Sequence, residues 1–498
     1  MSRRTLDEDL RGAAARQPDK PAVVAKDRTV SFGELDLAAA RIAAGLRETG
    51  VGPGDRVALV LPNVAEMAEA IYGVVRARAA FVPLNPTIKE PKLAQLLVHV
   101  GAAAVICDSE RAPMVEAAAA TAGEVPVVAN LPSFGRSEEL RLPAPLDVDL
   151  AAVIYTSGST GEPKGVTVTH QNMSFVAGSI TEYLEMGPQD RILSVLPLSF
   201  GYGLYQLLTC VRAQATLVLE PGLSFPGRVV QLLERERITG LSGVPTVFQV
   251  LISLKGLADR ELPHLRFLTN AGAALPTATI AEVRRTFAGA RLYSMYGQTE
   301  CTRVCYLPPE QLDARPTSVG VPIPGTEAWV EDDEGHVAAV DEIGELMVRG
   351  SHVMQGYWGD SRGTAERLRC GRWPWDRVLA TGDLFRQDSE GFLYFVGRRD
   401  DLIKSRGEKV APREVEEVLH AVTGVREAVV VGAPDQLLGQ AVHAHVAPES
   451  GRRLDAGELR RRCAEALESH KVPQRVIFHT ALPRTANGKL DRAALLSG

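Results

Sequence analysis

The densest chemistry in the chain lies between Tyr155 and Gly165, where Tyr-Thr-Ser-Gly-Ser-Thr-Gly-Glu-Pro-Lys-Gly holds three glycines, two serines, two threonines and one lysine. Glycines let backbone N–H groups close around an anion, hydroxyls add donors, and a lysine supplies a mobile positive charge. An ordinary Gly/Ser connection has no use for so many donors, so the segment reads as a phosphate loop. It is not the Walker pattern, because no Gly-Lys-Ser/Thr is present, and no G-x-G-x-x-G marks a dinucleotide site. Two further clusters have the residue types that a nucleotide demands. In Ser294-Met-Tyr-Gly-Gln-Thr-Glu300 the tyrosine can stack on a base, and a threonine followed by a carboxylate suits Mg²⁺ beside phosphate. Thr381-Gly-Asp383, ahead of Gly391–Arg398, offers a carboxylate able to accept from both hydroxyls of a ribose. Taken alone, Asp383 reads equally well as a turn or cap aspartate. Pro483-Arg-Thr-Ala-Asn-Gly-Lys489 places one lysine after an Asn-Gly turn, and an isolated exposed lysine is ordinarily just solvated.

The elements that must position these residues alternate. Arg56–Leu61 is a buried-strand run, Asn63 a candidate helix cap, and Val64, Met67, Ile71, Val74 and Val75 follow at helical spacing. Ala80–Pro86, Ala102–Cys107, Arg191–Leu196 and Ala215–Leu219 read as further strands, and Ala151–Ile154 and Ala290–Tyr293 lead into the first two clusters. Strands alternating with helices predict an α/β fold with a largely parallel sheet. The last hundred residues differ: a helix at Val415–His420, strands at Ala428–Gly432 and Ala441–Val446, a charged helix at Glu458–His470 and a strand at Arg475–His479 form a compact α+β unit. Its net charge from Ile403 onward is +3, against −9 for the rest. The charged run Arg398–Asp401 marks the seam, predicting a large multi-layered N-terminal domain over 1–399 and a small α+β C-terminal domain over 400–498.

A chain of 498 residues has room for such a division, and 45% hydrophobic with 23% charged residues excludes a mostly disordered chain. A net charge of −6 gives no reason to expect nucleic acid. No apolar stretch reaches the ~20 residues that span a bilayer, and Arg3 and Arg4 have no apolar core behind them to make a secretory signal. Six cysteines without a CxxC pair suggest a reducing compartment, so a cytoplasmic protein is expected. Cys301 and Cys305, close to Glu300, have no His/Cys set around them and read as pocket-edge or core thiols.

The four clusters, in this order and at these separations, resemble the adenylate-forming superfamily of acyl-CoA synthetases, peptide-synthetase adenylation domains and luciferases. The resemblance runs from Phe32-Gly-Glu-Leu35 through Gly344-Glu-Leu-Met-Val-Arg-Gly350 to Lys489. It implies activation of a carboxylic acid with ATP and Mg²⁺, giving acyl-adenylate and pyrophosphate, then transfer to the thiol of coenzyme A or of an acyl carrier protein. By the match, Thr156, Ser157, Gly158, Ser159, Thr160, Gly161 and Lys164 hold the β- and γ-phosphates. Thr299 contacts the α-phosphate and Glu300 holds Mg²⁺. Gly272, Ala273, Tyr296 and Gly297 border the adenine, and Asp383 and Arg398 the ribose. Lys489 bridges the acyl carboxylate and α-phosphate, Asp400 is the hinge, and Lys404 with Gly407 lines the thiol's approach after rotation. A non-catalytic scaffold is the competing class, but a dead homologue would have lost Lys164, Glu300, Asp383 or Lys489, and all four are present.

The resemblance places the acid pocket at Phe200, Gly201, Tyr202 and Tyr205, with Gly272 at its edge. Where α-amino-acid activators carry an aspartate for the ammonium group, this chain has Gly201, and an unpaired buried ammonium costs several kcal/mol. Phe-Gly-Tyr-Gly-Leu is closest to benzoate-type CoA ligases, and an aromatic wall suits a flat ring such as benzoate, hydroxybenzoate or 2-aminobenzoate. A medium- or long-chain fatty acid remains the alternative. Both a monomer and a homodimer are compatible with the sequence.

Overall fold

The computed structural model describes residues 5–26, 28–131, 134–135, 143–157, 163–405, 408–435, 437–449, 451–484 and 490–496. Four sheets carry the described residues. The nine-stranded sheet has a parallel centre in the spatial order Arg291–Tyr296, Phe267–Asn270, Gly240–Gly243, Arg191–Ser194, Thr216–Leu219, Pro21–Val24. Antiparallel strands close both edges, Cys305–Leu307 and Val321–Pro322 on one side and Thr29–Ser31 on the other. The seven-stranded sheet repeats this plan around Arg56–Val60, Ala80–Pro83 and Ala102–Cys107 and continues through the antiparallel hairpin Leu150–Ser157/Pro163–Thr169 to the edge strand Gly356–Tyr357. Helices lie between the strands, as expected of parallel sheets with both faces covered.

The third sheet is antiparallel, built on Gly344–Gly350 and Arg377–Gln387, with Leu393–Arg398 paired to the latter. A single 3₁₀ turn, Arg399–Asp401, separates it from Ile403–Ser405 of the fourth sheet. That sheet centres on the long pair Val425–Asp435 and Gly439–Pro448, with Arg475–Phe478 added in parallel. Its own core, including Ile403, Val415, Leu419, Val430, Val442, Leu459 and Cys463, is apart from the core of the two large sheets.

Asn63 is not the cap of the helix that follows it. The helix is Ala65–Arg76, preceded by Val64 with no side-chain cap. Instead Asn63 is buried: its amide nitrogen donates to the Leu196 and Glu220 carbonyls at 2.9 and 3.3 Å, and its oxygen accepts from the Leu198 amide at 2.8 Å. It stitches the seven-stranded sheet to the strand ends of the nine-stranded one, which no local pattern announces. Among the described residues no helix is long and apolar enough to cross a membrane.

Candidate active site

Parallel strands present their ligand-binding loops at their carboxyl ends. Here Asn270 and Ser294 are register partners, so the loops beginning at Ala271 and Gly297 leave adjacent strands side by side. Gly297 is required by packing: a Cβ there would lie 2.2 Å from the Thr302 carbonyl oxygen and 2.8 Å from Arg303 Cα. The turn folds back so tightly that Thr302 takes φ +61° and the Val304 amide returns to the Tyr296 carbonyl at 2.9 Å. Gly272 sits at φ +85°, and the neighbouring Ala273 carbonyl accepts from the Asn270 side chain at 2.9 Å.

Two constellations converge on this edge. Tyr296 O–H donates to Asp383 Oδ2 at 2.5 Å, and Arg398 Nε stands 3.4 Å from Asp383 Oδ1. Asp383 and Arg398 are themselves paired across the antiparallel ladder of the third sheet. Burial pushes the Asp383 carboxyl up, against the Arg398 guanidinium and the tyrosine hydroxyl, which pull it down. Burial followed by the Asp383 charge raises Tyr296 well above its ordinary value. Gly382 makes the bend at φ +73°, and its amide donates to Glu345 Oε1 at 2.8 Å, while Glu345 Oε2 also holds Arg399 Nη1 at 2.9 Å. Glu345, given no role in the sequence analysis, thus anchors the first residue of the 3₁₀ turn.

The second constellation joins the phosphate hairpin to Glu300. Thr156 faces Lys164 and Ser157 faces Pro163 across the hairpin, whose tip, Gly158, Ser159, Thr160 and Gly161 included, lies outside the described residues. Lys164 Nζ stands 4.9 Å from the Tyr357 ring centroid, and the Tyr357 hydroxyl donates to Glu300 Oε1 at 2.7 Å. Burial, with the Glu300 charge adding to it, holds the Tyr357 hydroxyl protonated far above its ordinary range. The Glu300 carbonyl accepts from the Met354 amide at 2.8 Å, and the same segment is tied to the helix after the hairpin by Asn172 Nδ2, which donates to the Ser351 and Val353 carbonyls at 2.7 and 3.1 Å. A cleft of about 440 Å³ opens beside Lys164 and Tyr357, bordered by His99, Trp358 and Asp360. Tyr357 had no sequence signal, since a lone tyrosine in Gly-Tyr-Trp-Gly looks like core.

The remaining residues are placed more simply. Phe200 precedes the helix Gly201–Ala213 at the end of the segment leaving Arg191–Ser194. Tyr202 fixes its ring by a hydroxyl bond to Thr269 Oγ1 (2.6 Å), which reaches Ser242 Oγ (2.9 Å), itself bonded to Gln206 (2.7 Å). Gly201 has no atom within 4 Å of its Cβ position, so a Cβ there would meet open space. Tyr205 is only 2% exposed and packs in the main core. Cys301 and Cys305 are core thiols, fully buried and raised far above ordinary cysteine by burial. Lys404 is exposed on the fourth sheet, its amide bonded to Gln440 at 2.7 Å, and no contact joins it to the Asp383 or Glu300 groups. Gly407 and Lys489 lie outside the described residues.

Glu300 is held through one oxygen by the Tyr357 hydroxyl, whose ring lies against Lys164 of the hairpin, and the Asp383 carboxylate is buried beside the Arg398 guanidinium. These donors fit Mg²⁺ with a nucleotide: a hard carboxylate oxygen for the cation, and positive charge for phosphate.

The AMP-binding enzyme family matches residues 10–358, and the AMP-binding enzyme C-terminal domain matches 414–489. A feruloyl-CoA synthase from Amycolatopsis sp is 35% identical over 96% of this chain and 95% of its own. Among solved structures, the anthranilate CoA ligase in complex with anthranoyl-AMP superposes with a TM-score of 0.91 at 26% identity, covering 99% of this chain and 96% of that one. The o-succinylbenzoate coenzyme A synthetase of Bacillus subtilis, in complex with ATP and magnesium ion, gives 0.88 at 32%, covering 99% of each. The chain thus belongs to the AMP-binding enzyme family, as an AMP-forming ligase of the acyl- and aryl-CoA synthetase type.

Proposed function

We propose that the enzyme converts an aromatic carboxylic acid to its acyl-adenylate and passes the acyl group to coenzyme A. Attack of a carboxylate on the α-phosphate brings negative charge toward negative charge, so the protein's part is positioning and charge neutralisation. In this reading Thr156 and Lys164 anchor the β- and γ-phosphates at the hairpin, and Thr299 meets the α-phosphate. Asp383 accepts the ribose hydroxyls while Arg398 keeps it ionised, and Tyr296 borders the base. Glu300, oriented by the Tyr357 hydroxyl, holds Mg²⁺, which would supply neutralisation of phosphate charge. Lys489 bridges carboxylate and α-phosphate in the first half-reaction. Asp400 turns the C-terminal unit, and Lys404 with Gly407 then borders the thiol's path.

The observation that carries the aryl reading is the rigid ring of Tyr202, clamped by its hydroxyl next to Phe200 where the strand ends open. Such a wall rewards a flat partner by offset or edge contacts. The names of the feruloyl and anthranilate relatives support it, and coenzyme A is preferred to a carrier protein because both are CoA ligases. The test is a comparison of kcat/KM for thioester formation across ring-substituted benzoates, cinnamates and fatty acids. An aromatic acid should exceed the best fatty acid by at least about tenfold, the discrimination that one to two kcal/mol of ring contact yields. A fatty acid at the top would contradict the aryl assignment.

A further inference from the structure

Arg303 is 3% exposed, yet it has no partner that explains its burial. Its Nε is buried without a hydrogen bond, and among the described residues no carboxylate or hydrogen-bond acceptor meets its guanidinium. The group lies with Cζ 5.2 Å from the centroid of the Tyr202 ring. A ring face attracts a cation but leaves the N–H donors unused. Buried charges are otherwise paired, and an uncompensated one is strongly unfavourable.

The surroundings say where this cation points. Its charge acts on Tyr183, Tyr202, Tyr205 and Cys305, and burial raises all four. None is an anion at neutral pH. The carboxylates on the nucleotide side are balanced by others: Asp383 feels Arg398 and Arg367, and Arg398 in turn feels Asp383, Asp401 and Glu300. Among the described residues no hydrogen bond or ion pair joins Arg303 to Asp383, Glu300 or Lys164. Arg303 belongs to the acid side, beside Tyr202 at the first turn of the Gly201–Ala213 helix, where the Cβ position of Gly201 faces open space. The N-terminal turn of that helix adds positive partial charge to the same region.

We infer that Arg303 pairs with a second carboxylate on the substrate, so that the acid activated by this enzyme is a dicarboxylic acid whose distal group meets the guanidinium while its other group is adenylated. This rests on the reading of Phe200–Tyr202 as the acid pocket and narrows its substrate class. An acid lacking the distal group leaves Arg303 buried and unpaired, and a site built for a charged group rejects an analogue without it more strongly than an apolar pocket rejects a missing methylene.

The test uses the full-length enzyme and matched acids: benzoic against 1,3- and 1,4-benzenedicarboxylic, and hexanoic against hexanedioic. Acid-dependent exchange of labelled pyrophosphate into ATP gives kcat and KM, and thermal unfolding with each acid gives binding independently of turnover. The wild type should favour a diacid over its matched monoacid by at least about 100-fold in kcat/KM. Arg303→Met should remove that preference, chiefly through KM, so that the paired values converge, and Arg303→Lys should keep part of it. Without acid, Arg303→Met should unfold at the same temperature as wild type or higher, since it removes an unpaired buried charge. Equal wild-type rates on monoacids and diacids, or an equal loss on both in Arg303→Met, would overturn the inference. A preference for hexanedioic over the aryl diacids would sink the aryl reading while supporting the role of Arg303. If no acid supports exchange, a diacid-dependent rise in unfolding temperature that Arg303→Met abolishes still supports it, and absence of any such rise overturns it.

Discussion

Replacing Lys489 with alanine is expected to slow acyl-adenylate formation by about 10²–10³-fold or more, the range seen when one preorganised donor is removed from a developing charge. Transfer of the acyl group from supplied acyl-adenylate to coenzyme A should fall by less than about tenfold. The asymmetry follows from the chemistry. Two anionic groups meet in the first half-reaction, and a cation between them is stronger in the transition state than in the ground state. In the second, a thiolate attacks a carbonyl whose leaving group is already made, and the same cation has no comparable work. Pyrophosphate exchange and thiol-dependent consumption of preformed acyl-adenylate separate the two steps. Equal losses in both would remove Lys489 from its assigned role.

The second large effect concerns the 3₁₀ turn. Arg399 is fastened on one side to Glu345 at 2.9 Å and also contacts Asp333, while Asp400 follows it at an exposed position just before the fourth sheet. A 3₁₀ turn has φ near −60°, the value that proline also imposes, so Asp400→Pro is compatible with the turn as it stands and opposes rotation away from it. Pyrophosphate exchange should stay within about threefold of wild type, and overall thioester formation should fall by about 100-fold, the two being limited by different conformations. Loss of both to the same degree would mean that Asp400 is a structural residue and not a hinge.

Much of this was legible from residue types and spacing. The strand Ala102–Cys107 is where its apolar run puts it, the segment opening the phosphate hairpin lengthens to Leu150–Ser157 around its predicted core, and the one leading to the Tyr296 loop starts one residue later than expected and runs on to Tyr296, as Arg291–Tyr296. Tyr296, Asp383 and Arg398, more than eighty residues apart from first to last, do meet. What the sequence hides is contact between segments with no pattern of their own. Asn63 had every local mark of a helix cap, and tertiary carbonyls claimed it. Tyr357 reaches Glu300 only because the strand Gly356–Tyr357 pairs with the far side of the phosphate hairpin. Arg303, between two core cysteines, carries a charge whose meaning lies in the lack of a partner, and only three-dimensional neighbours reveal that.

Everything proposed for this site requires that the acid's own oxygen attack the α-phosphate of ATP. Acid labelled with oxygen-18 in its reacting carboxylate, turned over with ATP, Mg²⁺ and coenzyme A, tests it most directly by mass spectrometry of the products. Such attack should yield AMP carrying one heavy oxygen from the acid, unlabelled pyrophosphate, and an acyl-CoA thioester retaining the other heavy oxygen. Appearance of ADP with labelled inorganic phosphate would show an acyl-phosphate route and contradict it.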